Sequence, residues 1–207
     1  MSRRALLVID VQNDYIDGPF RITYPAVNDS LPKIAAAMDA ATAHGIPVVV
    51  VQHSSSADSP IFRPGSHGWE NHPTVASRPA QLQIEKKLAS ALAGTGLDDW
   101  LREREIDTLT LVGYMTHNCI DSTARDAAHR GYQVEVLSDA TGSLPYAHER
   151  GQADGQTLHQ TTLTVLHTAF ALVLPQAEWQ AALEGAPLPA RSNVFSANQA
   201  ALALQLA

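Results

Sequence analysis

The chain has 207 residues, 45% of them hydrophobic and 17% charged, which suffices for one globular domain with a packed core. A formal charge of -7, with no cluster among the 14 basic residues, argues against a nucleic-acid partner. A lone cysteine excludes disulfide stapling within the chain and fits a reducing, cytoplasmic setting, and no apolar stretch reaches membrane-spanning length, so no membrane partner is expected.

Ser2, Arg3 and Arg4 superficially resemble an export signal, but the apolar run over residues 5–9 ends at Asp10, so we read a first strand. Its unbroken apolar character is that of a parallel strand covered on both faces. Leu31, Ile34, Met38 and Ala41 recur at helical spacing, with Ser30 as N-cap, Pro32 in the first turn and Gly45 past the end. Residues 46–51 form the next buried strand. The stretch from His53 to Pro79, rich in Ser, Pro, His and Gly, reads as a long functional loop. Residues 81–85 alternate polar and apolar, with Leu82 and Ile84 on one face of a short strand. Thr95 and Asp98 form a capping box before a helix through Leu97, Trp100 and Leu101.

Residues 109–113 read as a buried strand, 114–118 as a tight connection, and Cys119 as the first residue of a helix reaching Gly131. A strand at 133–137, a helix at 152–166 and a last strand at 170–174 complete the pattern, with weak helical signals at 177–183 and 197–206. Six strands alternating with helices predict an α/β fold: a doubly wound, six-stranded, mainly parallel sheet with helices on both faces, a Rossmann-like three-layer sandwich. One domain spans residues 1–207, its core covering about 5–175. The tail 176–207 covers a surface or a neighbouring subunit.

In such a sheet the binding crevice lies beyond the carboxyl ends of the strands. Three strand ends offer Asp10, Lys86 and Cys119 to it. A thiol at a helix N-terminus meets unpaired N–H groups and the positive end of the macrodipole, which favour thiolate. Asp10 then acts as general base and later acid, while Lys86 keeps Asp10 ionised and favours the thiolate.

Val-Ile-Asp-Val-Gln-Asn-Asp at 8–14, the Glu-Lys-Lys-Leu-Ala-Ser-Ala-Leu run at 85–92 and Gly-Tyr-Met-Thr-His-Asn-Cys at 113–119 resemble, in order, three motifs of the isochorismatase-like cysteine hydrolases. That superfamily includes nicotinamidases, N-carbamoylsarcosine amidohydrolases and ureidoacrylate hydrolases. The resemblance makes Asp10, Lys86 and Cys119 a catalytic triad. It prefers Lys86 to Lys87 because Ser90, Ala91 and Leu92 follow at the family's spacing, although the family usually has phenylalanine at Leu92. Strand alternation also points the two lysines to opposite sides. The resemblance further implies a cis peptide bond between Tyr114 and Met115 and an oxyanion hole from the backbone N–H groups of Met115 and Cys119.

It implies a small-molecule substrate, cleavage of an amide or carbamoyl C–N bond through a Cys119 thioester, and a homo-oligomer, at least a dimer. Isochorismatase-type vinyl ether hydrolysis and non-catalytic binding on the same fold stay open as alternatives. Gln12, Phe20, His53, Trp69, Leu92, Asn118, Tyr146 and Met115 lie in segments expected to border the crevice, with Gln12 and Asn118 orienting a polar group. Nicotinamidases hold a metal through an Asp-x-His pair after the second strand, where this chain has Gln52-His53-Ser54-Ser55. The spacing of His53, His67 and His72 matches no ligand pattern, so neither a metal nor another cofactor is expected.

Overall fold

A computed structural model describes residues 3–205. The six expected strands are β1 (Arg4–Ile9), β2 (Val48–His53), β3 (Leu82–Lys86), β4 (Thr108–Tyr114), β5 (Gln133–Gly142) and, after a hairpin, β8 (Leu172–Leu174). They form one sheet in the order β3-β2-β1-β4-β5-β8, and every pairing within it is parallel. The chain winds outward from β1 to β2 and β3, then returns to the other side of β1 with β4. The topological switch point therefore lies between β1 and β4.

Side-chain alternation assigns the strands to two core layers. Leu6 and Val8 of β1, with Val48 and Val50 of β2, meet α1 (Val27–Ala43) through Ile34, Ala37, Met38 and Ala41, and α6 (Gln176–Leu183) through Trp179. Ala5, Leu7 and Ile9, with Val49 and Val51, meet α3 (Leu97–Glu103), α4 (Asp121–His129) and α5 (Gly155–Ala169). Both faces are thus covered, as the unbroken apolar strands require. Trp179 is fully buried and its Nε1 donates to Glu135 at 3.0 Å, so the packed region runs past residue 175 into α6. Among the described residues no helix is long and apolar enough to cross a membrane.

Several element boundaries differ from the sequence reading. Helix α1 starts at Val27, and Ser30 is not its cap: the Ser30 hydroxyl lies 2.8 Å from the Tyr114 hydroxyl instead. Pro32 is inside the helix, with Gly45 past its end at φ 66. Gly96 caps α3, and Asp98 forms no capping box because its carboxylate binds Tyr132, Arg102 and Arg130. The helix expected from residue 152 starts at Gly155, where Asp154 accepts from the Thr157 N–H at 2.7 Å. Gln152 belongs to an antiparallel hairpin, β6 (Tyr146–His148) with β7 (Gly151–Ala153). The long loop contains a short helix, α2 (Pro73–Ala76). The tail helix α7 runs Val194–Gln205, and Leu206 lies outside the described residues.

Candidate active site

Asp10 follows β1 directly, beside the switch point, in the left-handed region at φ 52 that Asp tolerates better than most residues. Its N–H donates to the Val51 carbonyl at 2.8 Å, which fixes the turn against β2. Beneath it, Gly113 of β4 comes so close to β1 that a Cβ would sit 2.0 Å from the Ile9 carbonyl oxygen; with its φ of 109, only glycine fits. This close approach joins the strand that delivers Asp10 to the strand that delivers the Cys119 segment.

Lys86 is the last residue of β3, two strands from β1, and its long side chain reaches back across β2. Nζ lies 2.8 Å from Asp10 Oδ2, 3.2 Å from Cys119 Sγ, 3.1 Å from the Leu88 carbonyl oxygen and 3.5 Å from His53 Nδ1. The side chains of Asp10 and Lys86 are wholly buried, and Lys87 is exposed. Lys86 and the Cys119 thiol aside, the Asp10 carboxylate finds no donor among the described residues. A buried carboxylate so sparsely solvated is costly, and charge pairing offsets the cost.

The cysteine segment departs from the expected helix start. Residues Thr116–Ile120 form a π-helical turn that leads into α4, so Cys119 is its fourth residue rather than the first of a helix. The peptide bond between Tyr114 and Met115 is cis, at the position the family resemblance implied. The thiol pKa also moves against the lowering expected of a helix-start cysteine. Burial and the Asp10 charge push the Cys119 thiol up to about 12, only partly offset by Lys86. Burial likewise raises Asp10 despite the attraction of Lys86. Lys86 is raised because Asp10 and Cys119 together outweigh its own desolvation. These shifts favour a protonated thiol, make the Asp10 carboxylate more basic and favour the charged form of Lys86.

The remaining residues singled out from sequence fall around this cluster in different roles. The Gln12 amide is fully engaged: Nε2 donates to the His53 and Trp69 carbonyls at 2.9 and 2.7 Å, and Oε1 accepts from the His53 N–H at 3.0 Å. Trp69 donates through Nε1 to Ser54 at 2.7 Å. Phe20 stacks on Tyr15 at 5.7 Å, and Leu92 is buried in the layer that also holds Cys119. Asn118 lies near Tyr146, whose half-exposed ring stands edge-on to His117 with centroids 4.9 Å apart and whose hydroxyl lies 3.9 Å from Met115 Sδ. His67 pairs with Asp17 on the surface and His72 caps α2, so the three loop histidines do separate work. Among the described residues no group of His, Cys, Asp and Glu is arranged to hold a metal ion.

Sequence reasoning missed the residues that hold the loops down. Buried Asp14 accepts from the Phe62 N–H, and a Cβ on Gly68 would sit 2.1 Å from Asp14 Oδ1. That clamp lays Phe62 on Tyr15, with ring centroids 4.9 Å apart. Asp14 belongs to the first motif, which was the available signal. His159 of α5 pairs with Thr116 at 2.9 Å and so ties the π-turn to the helix behind it; no local pattern announced it. Asp10, Lys86 and Cys119 line neither of two surface cavities. One of about 550 Å³ is lined by Tyr146, Asp154 and Thr157, and another of about 520 Å³ by Phe20, Leu144 and Pro145. Cys119 itself is 5% exposed.

Residues 4–178 match the isochorismatase domain family. The chain is 50% identical to a candidate isochorismatase of known crystal structure from Burkholderia xenovorans LB400, with a TM-score of 0.97 over 100% of this chain and 99% of that one. It is 30% identical over 171 residues to the uncharacterized isochorismatase family protein YddQ of Bacillus subtilis, covering 82% of this chain and 94% of that protein. It is also 30% identical over 214 residues to the ureidoacrylate amidohydrolase RutB of Methylorubrum extorquens, covering 86% and 82%.

Proposed function

The chain belongs to the isochorismatase family of hydrolases, and from that premise we propose that it is a cysteine hydrolase cleaving a C–N bond, of amide or carbamoyl type, in a small molecule. The observation that carries this reading is the buried contact of one ammonium with both a carboxylate and the sole thiol, Lys86 Nζ at 2.8 Å from Asp10 and 3.2 Å from Cys119.

The proposed steps follow from the charge states. As substrate binds, Asp10 takes the proton of Cys119 while the sulfur attacks the carbonyl carbon. The C–S bond forms and the carbonyl oxygen becomes negative, held by the backbone N–H groups of Met115 and Cys119. Collapse breaks the C–N bond, and the leaving nitrogen takes the proton from Asp10. Water then attacks the thioester, giving its proton to Asp10, and the released sulfur recovers it. Lys86 stabilises both the carboxylate and the transient thiolate. An intracellular setting suits the sole cysteine, since a reducing compartment keeps it free.

A panel of amides, carbamoyl compounds and isochorismate, assayed for ammonia release and product acid, tests the reading. We expect C–N cleavage that is lost in Cys119→Ala. Turnover of isochorismate alone, surviving Cys119→Ala, would establish vinyl ether hydrolysis instead. No turnover and no acyl capture across the panel would favour a binding protein.

A further inference from the structure

His53 ends β2 in register with Lys86 at the end of β3, so the two side chains leave the same edge of the sheet together. Its main chain is fixed on both sides by the Gln12 amide, and its ring stands edge-on to Phe62, at 5.6 Å and 88°. The ring plane is therefore held between these contacts. Nδ1 faces the Lys86 ammonium at 3.5 Å. The three hydrogens of the ammonium have closer acceptors in Asp10, Leu88 and Cys119, but its positive charge facing Nδ1 favours the tautomer that presents a lone pair there and carries the ring proton on Nε2. Burial and then Lys86 both lower the His53 pKa, which keeps the ring neutral at pH 7. Nε2 has no hydrogen-bond partner among the described residues and is not one of the buried unpartnered atoms. In that tautomer it is a donor left open, one side chain away from the nucleophile through Lys86.

We propose that His53 is the specificity-determining residue of this site: its Nε2–H donates to an acceptor atom beside the scissile carbonyl, so the enzyme selects small amides carrying an ether, carbonyl or ring-nitrogen acceptor there. The proposal rests on the cysteine-hydrolase reading above. A site built around a hydrogen-bond donor discriminates against the isostere that lacks the acceptor, because the donor is then desolvated without a partner.

The test uses a matched pair of aldehydes, methoxyacetaldehyde and butyraldehyde, which differ by an ether oxygen in place of a methylene. Each reacts reversibly with Cys119: the sulfur adds to the aldehyde carbon and the thiol proton passes to the carbonyl oxygen. Protection of Cys119 from iodoacetamide is measured in the wild type, His53→Phe and His53→Gln, with each aldehyde normalised to its affinity for glutathione. The wild type should bind methoxyacetaldehyde about tenfold more tightly than butyraldehyde. His53→Phe, which keeps the aromatic contact, should bind both aldehydes equally, and His53→Gln, which restores an N–H donor, should recover part of the preference. No preference in the wild type, a preference that survives His53→Phe, or a parallel loss of both aldehydes in His53→Phe would overturn the role of His53 and leave the hydrolase reading standing. Failure of both aldehydes to protect a Cys119 that iodoacetamide labels would overturn both.

Discussion

Asp10 and Lys86 act on the thiol in opposite directions, and this separates charge from catalysis at the scale of single residues. Asp10 raises the Cys119 pKa and Lys86 lowers it. Asp10→Asn should therefore shift the thiolate absorbance titration to lower pH and speed alkylation, while abolishing turnover for want of a base. A titration that moves upward in Asp10→Asn would contradict these charge states. Lys86→Met should shift the titration upward and leave a buried carboxylate unpaired, at a cost of about 3–5 kcal/mol in denaturant unfolding. A loss below about 1 kcal/mol would mean that Asp10 is held neutral. Asp10, Lys86 and Cys119 were legible because strand ends and motifs announce position. The thiol's protonation state was not, because burial is a property of the folded neighbourhood that no helix-start argument contains. The same holds for Gln12, whose amide is consumed by two carbonyls and an N–H contributed from 41 and more residues away.

At the scale of elements, the π-turn that presents Cys119 depends on α5 behind it. Buried His159 hydrogen-bonds Thr116, and burial lowers its pKa from 6.5 to about 4. In the folded protein it stays neutral to a lower pH than in the unfolded chain. Its contribution is complete above pH 6.5 and is lost as pH falls toward 4, with about 3 kcal/mol at stake. His159→Gln should flatten the stability profile between these limits, as measured by urea midpoints across pH; an unchanged acid limb would place the sensitivity elsewhere. Strand cores were legible from apolar runs, and helix faces from their spacing. Boundaries were not, where capping was decided by distant partners. Ser30 turns from its expected cap to Tyr114, and Asp98 to Tyr132, Arg102 and Arg130, contacts invisible to a local pattern. Asp154 before Gly155 was a readable N-cap signal, overlooked because the apolar periodicity was extended back into the β6–β7 hairpin.

At the scale of the whole molecule, the sheet order brings Asp10, Lys86 and the Cys119 segment to one edge, and the alternation of strand and helix patterns made that architecture legible in advance. The tail was less so, since α7 carries no buried residue: Phe195 and Leu204 are 74% and 80% exposed, and residues 192–207 contain no charge. An apolar, uncharged surface of this kind suits self-association. We predict that the chain sediments as a dimer or larger and that Phe195→Glu with Leu204→Glu reduces its mass to that of the monomer without changing Cys119 alkylation; a monomeric wild type would contradict this. The most direct test of the cysteine-hydrolase mechanism is the mass of the intact protein, quenched during turnover of an amide. An increase equal to the acyl group less the thiol hydrogen it replaces, mapped to Cys119 and absent in Cys119→Ala, is the predicted result. Steady turnover with no adduct on Cys119, or undiminished turnover by Cys119→Ala, would contradict it.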